Sequence, residues 1–190
     1  MSIDLSRARA DTLGVEHVVH LNNAGASLPP NPVTDAVVAH LRLESELGPY
    51  EAAERAQVAV ERGHSSVADL INCGTDEIAM FESATRAWGA ALASIALGPG
   101  DRVLISPMEY GSSYLSLLHL ARRSGLRVEV LPVDVDGLVS IAELRERIDE
   151  RVKLVAMTHV PMHDGLIYPV AAIGRLTREY GIPYLVDASQ

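Results

Sequence analysis

From residue 75 onward, short apolar runs alternate with longer segments of helical periodicity, and turn residues separate the two kinds of segment. Such alternation predicts a largely parallel sheet with helices on both faces, because each connection between parallel strands must cross over the sheet. The chain is therefore predicted to be α/β, with three layers in which helices flank a mostly parallel sheet. The predicted strands are residues 77–82, 102–106, 127–131, 153–158 and 183–187, and the predicted helices are residues 85–96, 112–123, 141–147 and 170–180.

The first third of the sequence has a different pattern. Residues 20–30 are rich in amides and turn formers. Asn31 and Pro32 predict a helix start, with Asn31 as the N-cap and Pro32 at the first helical position. A second helix is predicted over residues 50–71, and apolar residues recur at helical spacing in both helices. We therefore divide the chain into an N-terminal loop and helical segment, residues 1–74, and an α/β domain, residues 75–190.

The composition disfavours several classes of partner. A formal net charge of -9 argues against a nucleic-acid groove or an anionic membrane surface, although a helix N-terminus can still bind a phosphate group locally. One cysteine, Cys73, allows no internal disulfide, and the polar residues 1–12 do not resemble a signal peptide. No apolar run has the length that spans a membrane. We therefore expect a soluble, cytoplasmic protein.

The candidate chemistry lies at the ends of the predicted strands, since open α/β sheets bind ligands beyond the carboxyl ends of their strands. Ser83 leads into a helix, which suits either a phosphate cradle or plain N-capping. Tyr110 is either a ring at the rim of a crevice or a surface tyrosine. Asp187 either meets a cation or caps the following turn. His159 and His163 could suggest a metal pair, but Pro161 between them disfavours the helix that would bring them together and no third ligand is evident, so no metal is predicted.

One ligand would use these strand ends together, with a phosphate at a helix start, a ring against Tyr110 and a cation opposite Asp187. At these positions the sequence resembles the class V aminotransferase and cysteine desulfurase family of fold-type I enzymes, whose cofactor is pyridoxal 5'-phosphate (PLP). The resemblance covers nearly the whole chain in the family's order. The matching stretches are Leu21-Asn-Asn-Ala-Gly25, Ser83-Ala-Thr-Arg-Ala87, Glu109-Tyr-Gly111, Thr158-His-Val160 with Gly165, Ile173-Gly-Arg175 and Val186-Asp-Ala-Ser-Gln190.

The resemblance implies a role for each matched site residue. Asp187 would pair with the pyridine nitrogen of PLP, which turns the ring into an electron sink. Ala84 and Thr85 would form the phosphate cradle. Tyr110 would stack on the ring, and Gln190 would contact its phenolic oxygen.

Three further residues receive roles from the same resemblance. Asn22 and Asn23 would line the substrate site at a dimer interface. His163 lies near the place where many members carry an asparagine, and either it would supply a donor to the phenolic oxygen or that contact would be absent. Desulfurases usually carry histidine at the position of Tyr110, and an aromatic version resembles the isopenicillin N epimerase-like branch. The stretches that favour this branch are Thr158-His-Val-Pro161 and Gly165-Leu-Ile-Tyr-Pro169.

The family's Schiff-base lysine lies downstream of the Asp-Ala-Ser-Gln motif, whereas the single lysine of this sequence, Lys153, starts a predicted strand at the end away from the crevice. The resemblance therefore implies the N-terminal, cofactor-binding part of a PLP enzyme with an amino-acid substrate and epimerase, lyase, desulfurase or aminotransferase chemistry. A missing segment or a complementary chain would supply the lysine within a homo- or hetero-oligomer. The alternative is a degenerate, non-catalytic half that binds a partner chain or a phosphorylated ligand.

Overall fold

The computed structural model of the protein describes residues 3–190, and the chain divides into two compact units, one that ends at Met80 and one that spans Phe81–Gln190. Residues 1 and 2, which the predicted N-terminal segment includes, lie outside the described range. The assignment of separate roles to residues 1–74 and 75–190 stays a prediction.

The first unit is helical. Its helices are α1 (Leu5–Ala10), α2 (Asn31–Leu47) and α3 (Pro49–Ile71), with 3₁₀ turns at Leu13–Glu16 and Thr75–Glu77. The single residue between α2 and α3, Gly48, has a φ of 93°, which favours glycine. Asn31 is the first residue of α2 and not its N-cap, because its side chain makes no capping hydrogen bond and Pro30 takes the cap position.

Both long helices were expected to carry apolar stripes, and these stripes are largely exposed. Val33 and Leu41 of α2 are 53% and 56% exposed, whereas α3 buries Ala52 and Ala68 and leaves Val58 exposed. Periodicity therefore predicts the two helices correctly but does not say what covers their apolar faces. Within residues 3–190, no helix is both long and apolar enough to cross a membrane.

The second unit is a four-stranded parallel sheet with helices on both faces, which confirms the predicted α/β fold. The sheet order is β2-β1-β3-β4. Its elements are α4 (Ala84–Ala93), β1 (Arg102–Ile105), α5 (Gly111–Ser124), β2 (Arg127–Val130), α6 (Ile141–Arg147), β3 (Val152–Thr158), α7 (Val170–Glu179) and β4 (Tyr184–Asp187).

Alternating side chains of β3 build a core on each face of the sheet. Val155 and Met157 pack in a cluster that includes residues of α6 and α7. Leu154 and Ala156 pack on the opposite face in a cluster that includes residues of α4 and α5. All four of these β3 side chains are fully buried. The central strand therefore fixes the positions of both helical layers.

The predicted strand over residues 77–82 is wrong. Glu77 ends a 3₁₀ turn, and Ile78 has extended dihedrals, but none of the four described strands pairs with residues 78–82. A strand depends on ladder hydrogen bonds to a neighbour, and an apolar pattern alone does not supply that neighbour. The other predicted strands and helices of the second unit are present, with small shifts at their ends.

Arg102 joins three segments at the amino-terminal edge of the sheet. Its Nε donates to Glu129 Oε1 at 2.7 Å, and its Nη2 donates to the other oxygen of that carboxylate. Its Nη1 donates to the carbonyl of Arg147 and to Asp149, each at 2.9 Å. The pKa of Glu129 lies below its ordinary value, chiefly because Arg102 donates to the carboxylate. This fork ties the start of β1 to β2 and to the turn before β3.

Arg102→Met should lower the free energy of unfolding by about 2–3 kcal/mol at neutral pH, since Glu129 would keep a half-buried charge without its donor. The folded-state pKa of Glu129 is depressed, so this stabilisation is complete above the ordinary glutamate pKa of about 4.3 and is lost as the pH falls through the folded-state value. Urea unfolding of both proteins at neutral and acidic pH measures the difference, which should shrink in acid.

Arg127→Met is the matched control for this prediction. Arg127 lies next to Arg102 in the register of β1 and β2, is exposed and makes no ion pair in the described part of the chain. Its replacement should change the unfolding free energy by no more than about 0.5 kcal/mol. Equal losses in the two variants would contradict the role given to the Arg102 fork.

Candidate functional site

The carboxyl ends of the four parallel strands meet at one edge of the sheet. In the register of β3 and β4, Thr158 pairs with Asp187, and His159 N donates to Asp187 O at 2.8 Å. Side chains alternate along a strand, so Asp187 lies on the same face as Leu185, which packs in the α4 and α5 cluster. The end of β4 therefore faces the helical layer that α4 and α5 form.

α4 begins directly after Ser83, whose hydroxyl accepts a hydrogen bond from Arg86 N at 3.3 Å. The first N–H groups of a helix, here those of Ala84 and Thr85, have no partner inside the helix. Thr85 Oγ1 lies 3.1 Å from the hydroxyl oxygen of Ser112 in the first turn of α5. Two helix N-termini therefore lie side by side, and the positive ends of their dipoles suit an anion.

A cavity of about 360 Å³ connects the start of α4 with the end of β4, and we call it the α4–β4 cavity. Ala84 and Trp88 line it from the helix, and Asp187 and Ser189 line it from the strand side. Trp88 is 6% exposed, and its Nε1 has no hydrogen-bond partner among residues 3–190. One small ligand in this cavity would touch both the first turn of α4 and the carboxylate of Asp187.

Asp187 uses one carboxylate oxygen for a local turn. Its Oδ1 accepts hydrogen bonds from Ser189 N at 3.1 Å and from the Ser189 hydroxyl at 2.6 Å. Asp187 is therefore a turn cap, as one interpretation of the sequence has it, and it also lines the cavity, where its carboxylate can meet a cationic group.

Tyr110 is the N-cap residue of α5, and its side chain is 48% exposed. The glutamate before it, Glu109, joins two strand ends and was missed by the sequence reasoning. Its Oε1 accepts from Thr158 N at 3.0 Å and from the Ser106 hydroxyl, and its Oε2 accepts from Thr158 Oγ1 at 3.1 Å. Burial raises the pKa of Glu109 above its ordinary value, whereas these hydrogen bonds lower it. The signal in the sequence is a carboxylate that closely follows a buried strand.

The other predicted site residues lie in separate loops. His163 is exposed in the turn 161–165 after β3, and it makes no hydrogen bond to Asp187 or Tyr110 in the described chain. Gln190 is exposed after β4. Asn22 and Asn23 belong to the first unit, where the Asn22 side chain accepts a hydrogen bond within its own turn. Their proposed roles stay predictions.

Lys153 is exposed at the second position of β3, so it lies at the amino-terminal edge of the sheet. It lines a separate cavity of about 490 Å³ with Asp149 and Tyr180. Five residues of strand, about 16 Å, separate it from Thr158 at the carboxyl end. Lys153 is therefore out of reach of the α4–β4 cavity. Within residues 3–190, no cluster of three His, Cys, Asp or Glu side chains could hold a metal ion.

Comparison with known proteins gives a consistent family match. The sequence model of the family described as aminotransferase class-V matches residues 19–190. A probable cysteine desulfurase of Pyrococcus abyssi is 31% identical over an alignment that covers 96% of this chain and 46% of the relative. A cysteine desulfurase of Haloferax volcanii is 30% identical over 91% of this chain and 42% of the relative. The chain thus spans slightly less than half the length of these curated relatives.

Solved structures agree with this match. The apo cysteine desulfurase of Thermococcus onnurineus is 26% identical, with a TM-score of 0.83 over 99% of this chain and 48% of that chain. A C-DES variant with glycine covalently linked to its PLP cofactor has a TM-score of 0.87 at 20% identity, over 96% of this chain and 49% of that chain. At that identity the second likeness is one of fold.

Ser83→Ala should weaken phosphate binding at the start of α4 and lower the free energy of unfolding by about 1 kcal/mol, because the helix loses its N-cap hydrogen bond. Ser140 is a matched control, since its hydroxyl accepts a hydrogen bond from Glu143 N at the same 3.3 Å, and the helix that it caps, α6, does not line the α4–β4 cavity. Ser140→Ala should lose similar stability and keep the wild-type phosphate affinity. Calorimetric titration with PLP tests this, and equal affinities of the two variants would contradict a phosphate site here.

Proposed function

Because the chain belongs to the aminotransferase class-V family of PLP-dependent enzymes, we propose that it is the cofactor-binding, amino-terminal part of such an enzyme and acts on an amino-acid substrate. The observation that carries this proposal is the α4–β4 cavity, in which the first turn of α4 and the carboxylate of Asp187 line one space. A ligand with a phosphate at one end and a ring cation at the other suits this pair of groups.

Each residue around the α4–β4 cavity would bind a different part of the cofactor. The N–H groups of Ala84 and Thr85 would bind the phosphate, and Asp187 Oδ2 would accept a hydrogen bond from the protonated pyridine nitrogen. The ring of Tyr110 would cover one face of the cofactor. When bound, PLP supplies an electron sink for the charge that develops on the substrate. The chain's own contribution is to hold the ring and its proton in place.

Preorganisation supports the role of Asp187. Both donors of Ser189 hold its Oδ1, so the direction of the carboxylate is set before a ligand enters. A fixed charge needs no rearrangement when it meets a cation, which makes the contact more effective than one with a mobile side chain. Gln190 and His163 are proposed to meet the phenolic oxygen of the cofactor, and Asn22 and Asn23 to contact the substrate.

The lysine that would hold the cofactor covalently is proposed to come from a further segment or a complementary chain. Lys153 lies at the opposite edge of the sheet, and arginine cannot replace lysine in this role because its guanidinium stays protonated. The complete active site would therefore form only when that second part is present, within an assembly of two or more chains.

We propose chemistry at the substrate α-carbon, as in the epimerase-like branch, because Tyr110 stands where desulfurases usually have histidine. Cysteine desulfuration is the second candidate, and the names of the curated relatives favour it. Desulfuration needs a reactive thiolate, and burial together with the charges of Glu77 and Asp76 raises the pKa of the Cys73 thiol. A raised pKa lowers the thiolate fraction of Cys73, so we propose that a desulfurase would take its nucleophile from another segment. Two assays separate the candidates: release of sulfide from cysteine would support desulfuration, and exchange of the substrate α-proton with solvent would support epimerase-like chemistry.

Asp187→Asn should weaken PLP binding roughly 10- to 100-fold, because the pyridine nitrogen loses a charged partner worth about 1.5–3 kcal/mol. Asparagine keeps an oxygen that accepts from Ser189, so the turn after β4 and the stability should be preserved. Equilibrium dialysis with PLP and a urea unfolding curve measure the two quantities.

Asp134→Asn is the control for that variant. Asp134 Oδ1 also accepts two local backbone hydrogen bonds, at 2.9 and 3.0 Å, and the residue is exposed away from the cavity. Its replacement should leave PLP affinity unchanged. An Asp187→Asn protein with wild-type PLP affinity would show that Asp187 serves the turn alone, and the proposed function would fail.

A further inference from the structure

The connections of the sheet diverge between β1 and β3. β1 continues through α5 to β2 on one side, whereas β3 continues through α7 to β4 on the other side. In a parallel sheet this divergence leaves a crevice at the carboxyl ends of the two strands, because the loops that follow β1 and β3 lead to helices on opposite faces of the sheet. The groups that join β1 and β3 at this point therefore determine the shape of the crevice.

Glu109 joins the two strands at this point. The β1–β3 ladder ends at the pair of Ile105 with Ala156. Beyond it, Thr158 directs its backbone N–H and its hydroxyl to the two oxygens of Glu109, at 3.0 and 3.1 Å. Ser106, one residue after β1, donates its hydroxyl to the same carboxylate. A side chain thus takes the place of a strand partner at the end of the ladder.

The donors around Glu109 are all neutral and mostly buried. Ser106 and Thr158 are 1% and 3% exposed, and no cation forms an ion pair with Glu109 in the described part of the chain. Buried polar groups that lose their partners are strongly destabilising, so the three hydrogen bonds hold one another in place. The main chain at Glu109 is therefore fixed to the ends of both β1 and β3.

Tyr110 takes its position from this main chain. Its hydroxyl makes no hydrogen bond to residues 3–190, and its ring is half-exposed. What fixes it is the backbone on either side, which is Glu109 before it and the first turn of α5 after it, where Tyr114 N donates to Tyr110 O at 3.0 Å. If Glu109 lost its hydrogen bonds, its main chain would become more mobile, and the ring of the adjacent Tyr110 would move with it.

We propose that Glu109 is a positioning residue that holds the ring of Tyr110 over the crevice and fixes the separation of β1 and β3 for the cofactor. The proposal rests on the proposed function, since it is the PLP ring that Tyr110 would cover. A Tyr110 ring that is already in place loses less conformational entropy when the cofactor binds. The hydrogen bonds of Glu109 would therefore raise the affinity for PLP and keep the surroundings of the bound PLP ring ordered. Glu109 itself would not touch the cofactor.

Glu109→Ala and Glu109→Gln separate position from charge. Glutamine keeps an oxygen for Thr158 N and the Ser106 hydroxyl, and its amide N–H can donate to Thr158 Oγ1 when that hydroxyl turns. Glu109→Gln should therefore keep the hydrogen bonds to Thr158 and Ser106 while it removes the negative charge, whereas Glu109→Ala removes both the hydrogen bonds and the charge. Glu146→Ala is the control, because Glu146 is exposed on α6 and makes no ion pair in the described residues.

The experiment measures the PLP dissociation constant by dialysis and the circular dichroism that the protein induces in the PLP absorption band. Glu109→Ala should raise the dissociation constant at least tenfold and abolish the induced signal, whereas Glu109→Gln should keep the signal and stay within about threefold of wild type. In a Tyr110→Ala background, the further change Glu109→Ala should raise the constant less than threefold, because its effect passes through the ring.

Each other outcome overturns the proposal. An unchanged PLP dissociation constant and induced circular dichroism in Glu109→Ala would show that Glu109 does not position Tyr110. The same would follow if Glu109→Gln changed both quantities as much as Glu109→Ala does. A wild-type chain that binds PLP neither alone nor with the lysine-bearing part present would overturn the proposed function and this inference together, whereas PLP binding without a Glu109 effect overturns the inference alone. If Glu109→Ala does not fold, Thr158→Val removes one of the three hydrogen bonds, and a wild-type induced signal in that variant would contradict the proposal.

Discussion

β3 lies between β1 and β4, and its backbone hydrogen bonds to both strands connect the elements that carry the candidate site. Its fully buried side chains hold α4 and α5 on one face and α6 and α7 on the other. Its last residue, Thr158, pairs with Asp187 and also donates twice to Glu109. A shift of β3 by one residue would reverse both faces, so the register of this strand determines where Asp187 and Tyr110 stand.

The two edges of the sheet use charge in opposite ways. At the amino-terminal edge, Arg102 meets Glu129 and Asp149, and opposite charges neutralise one another where the strands begin. At the carboxyl edge, neutral donors hold the carboxylate of Glu109, and Ser189 holds that of Asp187. The N-termini of α4 and α5 face the same region with positive dipole ends. The carboxyl edge therefore offers an anionic group and an anion-binding helix start close together, which is the pattern that suits a zwitterionic ligand.

Much of this arrangement is predictable from local sequence, and the rest depends on partners that are distant in the chain. Short apolar runs between turn residues predict β1 to β4, and strand ends predict the positions of Tyr110 and Asp187. Glu109 is not predictable in this way, because its partner Thr158 lies 49 residues further along the chain. Residues 78–82 illustrate the same limit, since an extended apolar run becomes a strand only beside a neighbour. The exposed valines of α2 show that periodicity identifies the apolar face of a helix but does not say which other element packs against that face.

We propose that a phosphorylated cofactor binds at the carboxyl edge of the sheet, between the start of α4 and Asp187. Hydrogen exchange, measured peptide by peptide with and without PLP, tests it most directly because bound ligand slows local opening. We expect slower exchange in residues 83–88, 106–112 and 187–190, with no change around 148–153 and 180–183 at the opposite edge. Slower exchange confined to 148–153 and 180–183, around Lys153, would show that PLP does not bind at the carboxyl edge.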